Sequence, residues 1–350
     1  MMFYKKDRRK FLETVLTSRA FPDRCSSILS RTRDPEQIIS LLQSETDSSL
    51  QQRSHRVLND LDSGRYHVLI LGEPAYPESL ARISDPPLLL FLRGTFPERD
   101  LTLAVVGGRK ASPYGLQAAA AISADLGRSG IHIVSGLARG IDGAAHRAVL
   151  EVEGVTTAVL GSGLDRLYPL EHGKLAEAIL DTGGAILSEY PPGTPPLPHH
   201  FPRRNRIIAG LSRGVIVIEA GLRSGSLITA RLAVEENRDV FVVPGSIFQP
   251  SFAGSHRLLR EGAILVTGSA DILEEYDFTP SQKTEDREIH LGEEEWTVYS
   301  LLDPAVPRHP DELKEACSLT TPQIGQVLLE MELKGVVIQV PGGLFLKKVI

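Results

Sequence analysis

From Leu101 onward, short apolar segments alternate with amphipathic segments of helical spacing, and this repetition constrains the fold more than any other feature. The strand-like segments read LTLAVV, IHIV, TTAVL, AILSE, GVIVIE, DVFVVP and AILVT. Helical segments lie between most of them, at Leu116–Ser129, Ala138–Glu153, Lys174–Thr182 and Leu227–Asn237. This alternation predicts an α/β fold, a Rossmann-like, doubly wound and mostly parallel sheet. Strands that are apolar almost throughout indicate a sheet covered on both faces.

The regions on either side of this central part differ from it in polarity and in the spacing of their apolar residues. Residues 1–62 are polar with short apolar clusters at helical spacing, which indicates a small N-terminal helical domain. The α/β domain is predicted over 63–277, because HVLIL and LLLFLRG add two buried strands at its start. A polar linker is expected at 278–286. Residues 287–350 contain three helical segments and a hairpin with a Gly-Gly turn, so they predict a C-terminal winged-helix domain.

Composition places the chain among ordinary globular proteins. Apolar residues make up 42% of it and charged residues 23%. The apolar runs are too short to cross a bilayer and the N-terminus does not resemble a signal peptide, so we expect a cytoplasmic protein with no membrane partner. The two cysteines, Cys25 and Cys317, suit neither a disulfide framework nor a metal site. We therefore predict no metal and no cofactor.

The net charge of −6 disfavours a nucleic-acid partner, but the charge is unevenly distributed. Between His199 and Arg213 the chain carries four arginines, two histidines and no acid. Much of the acidic excess lies elsewhere, notably around Glu285–Glu295. A local basic site on an acidic protein is therefore compatible with the composition.

The loop after LTLAVV has residues suited to a phosphate. In open α/β sheets, ligands bind beyond the carboxyl ends of the strands, where helix N-termini favour anions. Here Gly107 lets a ligand approach the backbone, Arg109 supplies a cation and Ser112 can cap the next helix. The alternative is a tight turn with a solvated arginine, and we favour phosphate binding. The glycine spacing is not GxGxxG and gives no support for a dinucleotide.

The loop after IHIV offers a second cradle for an anion. Gly136 leaves its backbone open to a ligand and Arg139 adds a cation. Asp142 and His146 are four residues apart on a predicted helix, a spacing that would also suit a catalytic pair. Such a pair is more often an intrahelical contact or a cap, and we favour that interpretation.

The segment FPRRNRIIAGLS is the most informative one. Pro202 suits a helix start, which places Arg203, Arg204 and Asn205 in the first turn. Cations at a helix N-terminus oppose the helix dipole, an unfavourable arrangement unless an anion binds there. Phe201 beside them is suited to stacking on a base, although a core position is about equally common for such a residue.

A further helix start follows GVIVIE, where Ser224, Gly225 and Ser226 offer hydroxyl and N–H donors. Several anion-binding loops would then lie along one edge of the sheet. One mononucleotide does not need so many anion-binding loops, whereas a chain of phosphates does.

Taken in order, these motifs resemble those of the DNA-processing protein A family (DprA, also called Smf). The similarity runs from Tyr76 to Glu274 and includes YPESL, DPPLLLFLRG, GGRKASPYG, SGLARGIDGAAH, LGSGLDRLYP, HHFPRRNRIIAGLS and EAGLRSGSLITA. The resemblance implies an extended Rossmann fold that binds single-stranded DNA without cleaving it. It also implies a homodimer formed through this domain, which protects incoming DNA and loads the RecA recombinase onto it during transformation.

The resemblance also implies roles for individual residues. The DNA pocket would contain Arg109, Arg139, Phe201 and Asn205, with Gly136 and Arg203 as neighbours. The chain departs from the family at Gly108, where a serine is usual, and at Pro198, where some members carry a lysine.

We therefore predict a non-enzymatic, sequence-independent binder of single-stranded DNA whose affinity falls steeply with salt. The residues predicted to contact the DNA are Gly107, Arg109, Ser112, Gly136, Arg139, Phe201, Arg203, Arg204, Asn205, Ser224, Gly225 and Ser226.

Two other functions are weighed against this one. The first is a nucleoside monophosphate phosphoribohydrolase resembling the LOG proteins, in which a catalytic glutamate follows a Pro-Gly-Gly-x-Gly-Thr loop. Here Glu219 precedes the corresponding loop, which disfavours the hydrolase. The second is a duplex-DNA transcription module. The third helix of the winged-helix domain has acids and only one lysine near its end, whereas groove readout favours basic or amide side chains. An interaction or dimer-support role is therefore preferred.

Overall fold

The structure, a computed structural model, describes residues 4–22, 25–29, 31–32, 34–97, 99–279, 291–304, 306–317 and 319–347. Its helices are α1 (Tyr4–Thr17), α2 (Cys25–Leu29), α3 (Pro35–Gln43), α4 (Gln51–Asp62), α5 (Glu78–Ala81), α6 (Pro113–Arg128), α7 (Ile141–Glu151), α8 (Gly173–Asp181), α9 (His200–Leu211), α10 (Ser226–Glu235), α11 (Ala253–Arg260), α12 (Ser269–Glu275), α13 (Glu293–Leu301), α14 (Pro310–Ala316) and α15 (Thr321–Leu333). Its strands are β1 (His67–Ile70), β2 (Leu89–Gly94), β3 (Thr102–Val106), β4 (His132–Ser135), β5 (Thr156–Leu160), β6 (Ala185–Ser188), β7 (Gly214–Val217), β8 (Asp239–Val242), β9 (Ile264–Leu265), β10 (Val337–Val340) and β11 (Leu344–Lys347). Within these described segments, no helix combines the length and the apolar character that crossing a membrane requires.

Nine of the strands form one sheet in the order β1-β2-β6-β5-β4-β3-β7-β8-β9. In this order, the seven strands from β6 through β3 to β9 are parallel to one another. β2 pairs with β6, and β1 pairs with β2, both in antiparallel fashion. The chain winds outward from β3 through β4, β5 and β6, returns to place β7 beside β3, and winds outward again. This confirms the predicted doubly wound, mostly parallel sheet. Loops that follow β3 and β7 diverge at the point of reversal, where such sheets leave a crevice.

The central strands are covered on both faces, as their apolar sequences predict. Alternate residues of β3 enter different apolar cores, because side chains alternate across a strand. Leu103 and Val105 pack in one core, whereas Ala104 and Val106 pack in the other. This burial fixes the ends of β3 and its neighbours, and therefore the positions of the loops that follow them.

The N-terminal region contains the four helices α1 to α4, in keeping with the helical character predicted for residues 1–62. These helices are packed on the β1–β2 side of the sheet. Phe11 of α1 and Val57 of α4 belong to the same apolar core as Val68 of β1 and Leu90 of β2. The predicted domain boundary after residue 62 stays a prediction.

The C-terminal residues form a separate small core, built by α13, α14, α15 and the β10–β11 hairpin. Gly342 and Gly343, at the hairpin turn, have φ values of +96° and +71°, which side chains with a Cβ rarely adopt. Three helices and a hairpin confirm the predicted winged-helix domain. The linker predicted at 278–286 lies outside the described residues from 280 onward and stays a prediction.

Two differences between predicted and observed helix starts bear on the site. α7 begins at Ile141 and not at Ala138, because Gly140 has a φ of +75° and ends a loop. α9 begins at His200, two residues before the expected start. Pro202 therefore lies inside the first turn, where a missing N–H removes no intrahelical hydrogen bond.

Two buried histidines, His132 and His146, should make the stability of the fold depend on pH. Burial lowers the pKa of each ring from its ordinary 6.5 to about 3. Below pH 6.5 the unfolded chain therefore binds more protons than the folded one. The stabilisation is fully present above pH 6.5 and is lost as the pH falls towards 3, at up to about 1.4 kcal/mol per pH unit for each ring.

We expect His146→Gln to flatten the decline in the free energy of unfolding between about pH 6 and pH 5. Urea denaturation followed by far-ultraviolet circular dichroism measures this slope. The exposed His55, changed to Gln, is the matched control. If wild type and His146→Gln lost stability at the same rate, buried His146 would not be the cause.

Candidate functional site

A crevice of about 780 Å³ opens at the carboxyl end of the sheet, at the point where the winding reverses. One wall is the loop Gly107–Lys110 after β3, and the facing wall is the loop after β7, including Gly221 and Arg223–Ser226. The first two turns of α9 supply a third wall with Phe201 and Asn205. The crevice is thus lined by several strand-end loops, and it contains residues from all four of the predicted anion-binding segments.

An aromatic side chain and an arginine meet at the mouth of the crevice. The ring of Phe201 is half-buried, and the Cζ atom of Arg109 lies 5.1 Å from its centroid. Tyr168 packs beside it, with the two ring centroids 5.6 Å apart and the planes at 51°. Arg109 is exposed and forms no ion pair with any residue that the structure describes. This pair of side chains offers a free cation and an accessible ring side by side.

The loop after β3 is held in place by a buried carboxylate, that of Glu219. Its oxygens accept hydrogen bonds from the Ser112 N–H at 3.0 Å and from the Ser112 hydroxyl at 2.6 Å. The Ser112 Oγ accepts in turn from the N–H of Gly115 at 3.1 Å and caps α6. The backbone N–H of Gly108 donates to the carbonyl of Glu219 at 2.7 Å. Ser112 therefore faces Glu219 inside the protein and does not line the crevice.

A second buried carboxylate, Asp142, holds the loop after β4. It accepts hydrogen bonds from the N–H groups of Gly136 at 3.2 Å and Ala138 at 3.4 Å. Burial raises the pKa of Asp142, although nearby Arg204 opposes this effect. The His146 ring instead bonds to the Thr156 hydroxyl, 2.7 Å from Nδ1. Asp142 and His146 thus serve separate structural contacts, and the Gly136 N–H is occupied by a group of the protein.

Arg204 lies under the crevice and is only 5% exposed. Its Nη1 donates to the carbonyl of Gly136 at 2.8 Å and to that of Val159, which joins the ends of β4 and β5. Burial lowers the pKa of this guanidinium to about 10, so it stays charged at neutral pH. Arg204 therefore places a guanidinium at the floor of the crevice, close to the carboxylate of Asp142.

The arginines of α9 that point away from the crevice already have an anion inside the protein. Glu189, directly after β6, accepts from Arg203 Nε at 3.2 Å and from Arg206 Nη2 at 2.6 Å. Arg206 also donates to Asp85 at 3.0 Å. Glu189 and Arg206 were not predicted from sequence, although an acid directly after a strand was a usable signal. Glu189 therefore supplies, from within the protein, part of the negative charge that the arginines at the start of α9 require.

The remaining predicted residues divide between the crevice and the surface. Arg139 is exposed and forms a two-point pair with Glu171, with N–O distances of 2.7 and 2.6 Å. Exposed pairs of this kind contribute little and are readily exchanged. At the crevice, the hydroxyls of Ser224 and Ser226 lie 2.7 Å apart, and the Asn205 amide donates to the carbonyl of Gly225 at 3.3 Å.

The structure thus brings together two-thirds of the predicted residues. Those that line the crevice are Gly107, Arg109, Phe201, Arg204, Asn205, Ser224, Gly225 and Ser226. Those that lie beside it are Ser112, Gly136, Arg139 and Arg203. The crevice is also lined by residues that were not predicted, among them Lys110, Tyr168 and Arg223. The DNA-contacting role of each residue stays a prediction.

Comparison with known proteins assigns the two main parts of the chain. The sequence model of DNA recombination-mediator protein A matches residues 67–277, and that of the DprA winged helix domain matches residues 282–343. The chain is 42% identical over 294 residues to protein Smf of Escherichia coli, covering 81% of this chain and 78% of that protein. It is 49% identical over 211 residues to DNA processing protein DprA of Streptococcus pneumoniae, covering 59% and 73% respectively.

Solved structures give the same result. The X-ray structure of DNA processing protein A from Streptococcus pneumoniae aligns with a TM-score of 0.60 at 39% identity, covering 77% of this chain and 94% of that one. DNA processing protein A from Helicobacter pylori, whose structure addresses its single-stranded DNA binding mode, aligns with a TM-score of 0.55 at 30% identity. That alignment covers 61% of this chain and 98% of the other.

Removing the carboxylate of Glu189 should destabilise the fold strongly. In Glu189→Gln, the Arg206 and Arg203 guanidinium groups would lose their shared counter-charge, and breaking a buried pair costs roughly 3–5 kcal/mol. Glu177→Gln is the control, because Glu177 forms an exposed pair with Arg93. That change should cost less than about 1 kcal/mol. Urea denaturation measures both losses, and equal values would contradict a structural role for Glu189.

Proposed function

The chain belongs to the DNA recombination-mediator protein A family, and we propose that it binds single-stranded DNA in the crevice without preference for sequence. The observation that carries this proposal is the free guanidinium of Arg109 over the half-buried ring of Phe201, at the mouth of a crevice lined by strand-end loops. The Helicobacter pylori relative, with its single-stranded DNA binding mode, supports the same ligand.

Each part of the crevice has a physical task in this proposal. The guanidinium of Arg109 and the donors around Ser224–Ser226 bind phosphate oxygens. A base stacks on Phe201, a contact worth about 1–3 kcal/mol in single-strand binders. Every nucleotide has a phosphate and every base has a π-face, so these contacts do not depend on sequence.

The contacts of Glu219 support a non-enzymatic protein over the phosphoribohydrolase alternative. Glu219 borders the crevice, but the residue is only 1% exposed and its carboxylate is engaged by the N–H and the hydroxyl of Ser112. A general base must reach the proton that it takes up from the substrate. Glu219 is instead committed to joining two loops, and the proposal includes no chemical step.

We expect Arg109→Ala to weaken binding of a labelled oligothymidylate and to reduce its salt dependence. Each lost phosphate contact should lower the slope of log affinity against log salt by about 0.7. Fluorescence anisotropy at several salt concentrations measures both quantities. Arg82→Ala is the control, since Arg82 is an exposed arginine outside the crevice. Binding by Arg109→Ala that equals wild type at every salt concentration would contradict the proposal.

As the resemblance implies, we further propose that a homodimer of the protein loads a RecA recombinase onto the bound strand. If loading requires the crevice, wild type should accelerate RecA filament assembly on DNA coated with single-strand binding protein, and Arg109→Ala should not. Filament assembly can be followed through the ATPase activity of RecA. Equal acceleration by both proteins would separate loading from the crevice.

A further inference from the structure

A second exposed aromatic side chain lies at the same end of the sheet as the crevice. It belongs to the loop Gly245–Gln249 between β8 and α11, which we call the aromatic tip. Phe248 is 88% exposed and its neighbour Ile247 is 79% exposed. A single exposed apolar residue needs no explanation, but two adjacent ones leave unburied an area that would otherwise favour folding.

The aromatic tip is held by contacts at its base. The Tyr114 hydroxyl donates to the carbonyl of Pro244 at 2.9 Å, and His256 Nε2 donates to that of Gly245 at 3.0 Å. A Cβ atom on Gly245 would lie 2.2 Å from the ring of Phe252, so the loop fits closely there. Within the tip, the Phe248 N–H donates to the Ser246 hydroxyl at 3.3 Å. Phe248 is therefore presented to solvent from an ordered turn.

The tip is continuous with the wall of the crevice. Ser251 lines the crevice and follows Phe248 by three residues, so their Cα atoms are no more than about 11 Å apart. The start of α11 is bonded to the loop after β7, because the N–H groups of Gly254 and Ser255 donate to the carbonyl of Ala220 at 2.8 and 3.0 Å. A strand that leaves the crevice on this side passes over the tip.

The charge of the surrounding segments suits a polyanion. Residues 220–234 and 240–260 contain no aspartate or glutamate, whereas they contain Arg223, Arg257 and several other basic residues. Arg223 is exposed at the edge of the crevice. A phosphate chain that follows this path meets no carboxylate of these segments, and it passes the exposed guanidinium of Arg223 at the edge of the crevice.

We propose that Phe248 is a second stacking platform, which binds a base of the single strand just outside the crevice. This inference rests on the proposed function and lengthens the binding site by at least one nucleotide. Stacking needs an accessible ring, and Phe248 presents one from a turn whose backbone is held by hydrogen bonds. A second copy of this chain, docked on Ile247 and Phe248, is the competing occupant.

The test compares Phe248→Ala with wild type on oligothymidylates of about 4 and about 20 nucleotides, since a short oligomer fills only the crevice. We expect Phe248→Ala to bind the long oligomer roughly 5- to 150-fold more weakly and the short one equally well. Phe248→Trp should restore the affinity. Val234→Ala is the control, because Val234 is 64% exposed near the far end of α10.

A second measurement reports on the ring itself. In Phe248→Trp combined with Trp296→Phe, the single remaining tryptophan lies on the tip, and the long oligomer should quench its emission. Unchanged affinity for the long oligomer in Phe248→Ala, or no quenching while anisotropy reports binding, would overturn the inference. A loss of dimer mass in Phe248→Ala with unchanged affinity would assign the tip to a second copy of the chain. Failure of wild type to bind either oligomer would instead refute the proposed function.

Discussion

The crevice depends on the buried carboxylate of Glu219 at the end of β7. It binds Ser112 through both backbone and side chain, while its own backbone carbonyl binds the N–H of Gly108. Two loops that diverge at the reversal of the sheet are thereby locked to one another. A Cβ on Gly115 would lie 2.1 Å from the same carboxylate, so the start of α6 is fitted around it. This link fixes the loop that presents Arg109 relative to the opposite wall of the crevice.

The same device recurs at the neighbouring strand ends. Asp142 binds the N–H groups of the loop after β4, and Glu189 after β6 binds two guanidinium groups of α9. A buried carboxylate is costly unless it is hydrogen-bonded, and each of these carboxylates accepts hydrogen bonds from N–H groups of the protein. These internal anions occupy N–H groups and arginines that would otherwise be free. The cations left facing the solvent are those that a phosphate can reach.

The architecture could be predicted from the sequence because it depends on periodicity. Apolar strands, amphipathic helices and the hairpin near Gly342 all leave a repeating or local signal, and their predicted positions agree with the structure to within a few residues. Arg109 and Phe201 were also accessible to this reasoning, since they follow strand or helix signals directly. The pairing of Arg203 with Glu189 was not, because it joins residues across a loop whose path no local pattern encodes. The exposure of Phe248 could not be predicted for the same reason, because an apolar residue in a loop is equally compatible with a buried position.

These pairings change the expected balance of forces in DNA binding. The sequence suggests a densely basic segment, but Arg203 and Arg206 share Glu189, and Arg206 also pairs with Asp85. Arg204 is buried against carbonyl groups. Among the residues that the structure describes, the cations facing the crevice without an ion pair include Arg109, Lys110 and Arg223. Three phosphate contacts correspond to a salt slope of about 2 for a single strand, less than a basic segment of this length suggests. A larger share of the binding free energy must then come from base stacking. Aromatic side chains at this edge of the sheet therefore contribute more to DNA binding than the basic sequence suggests.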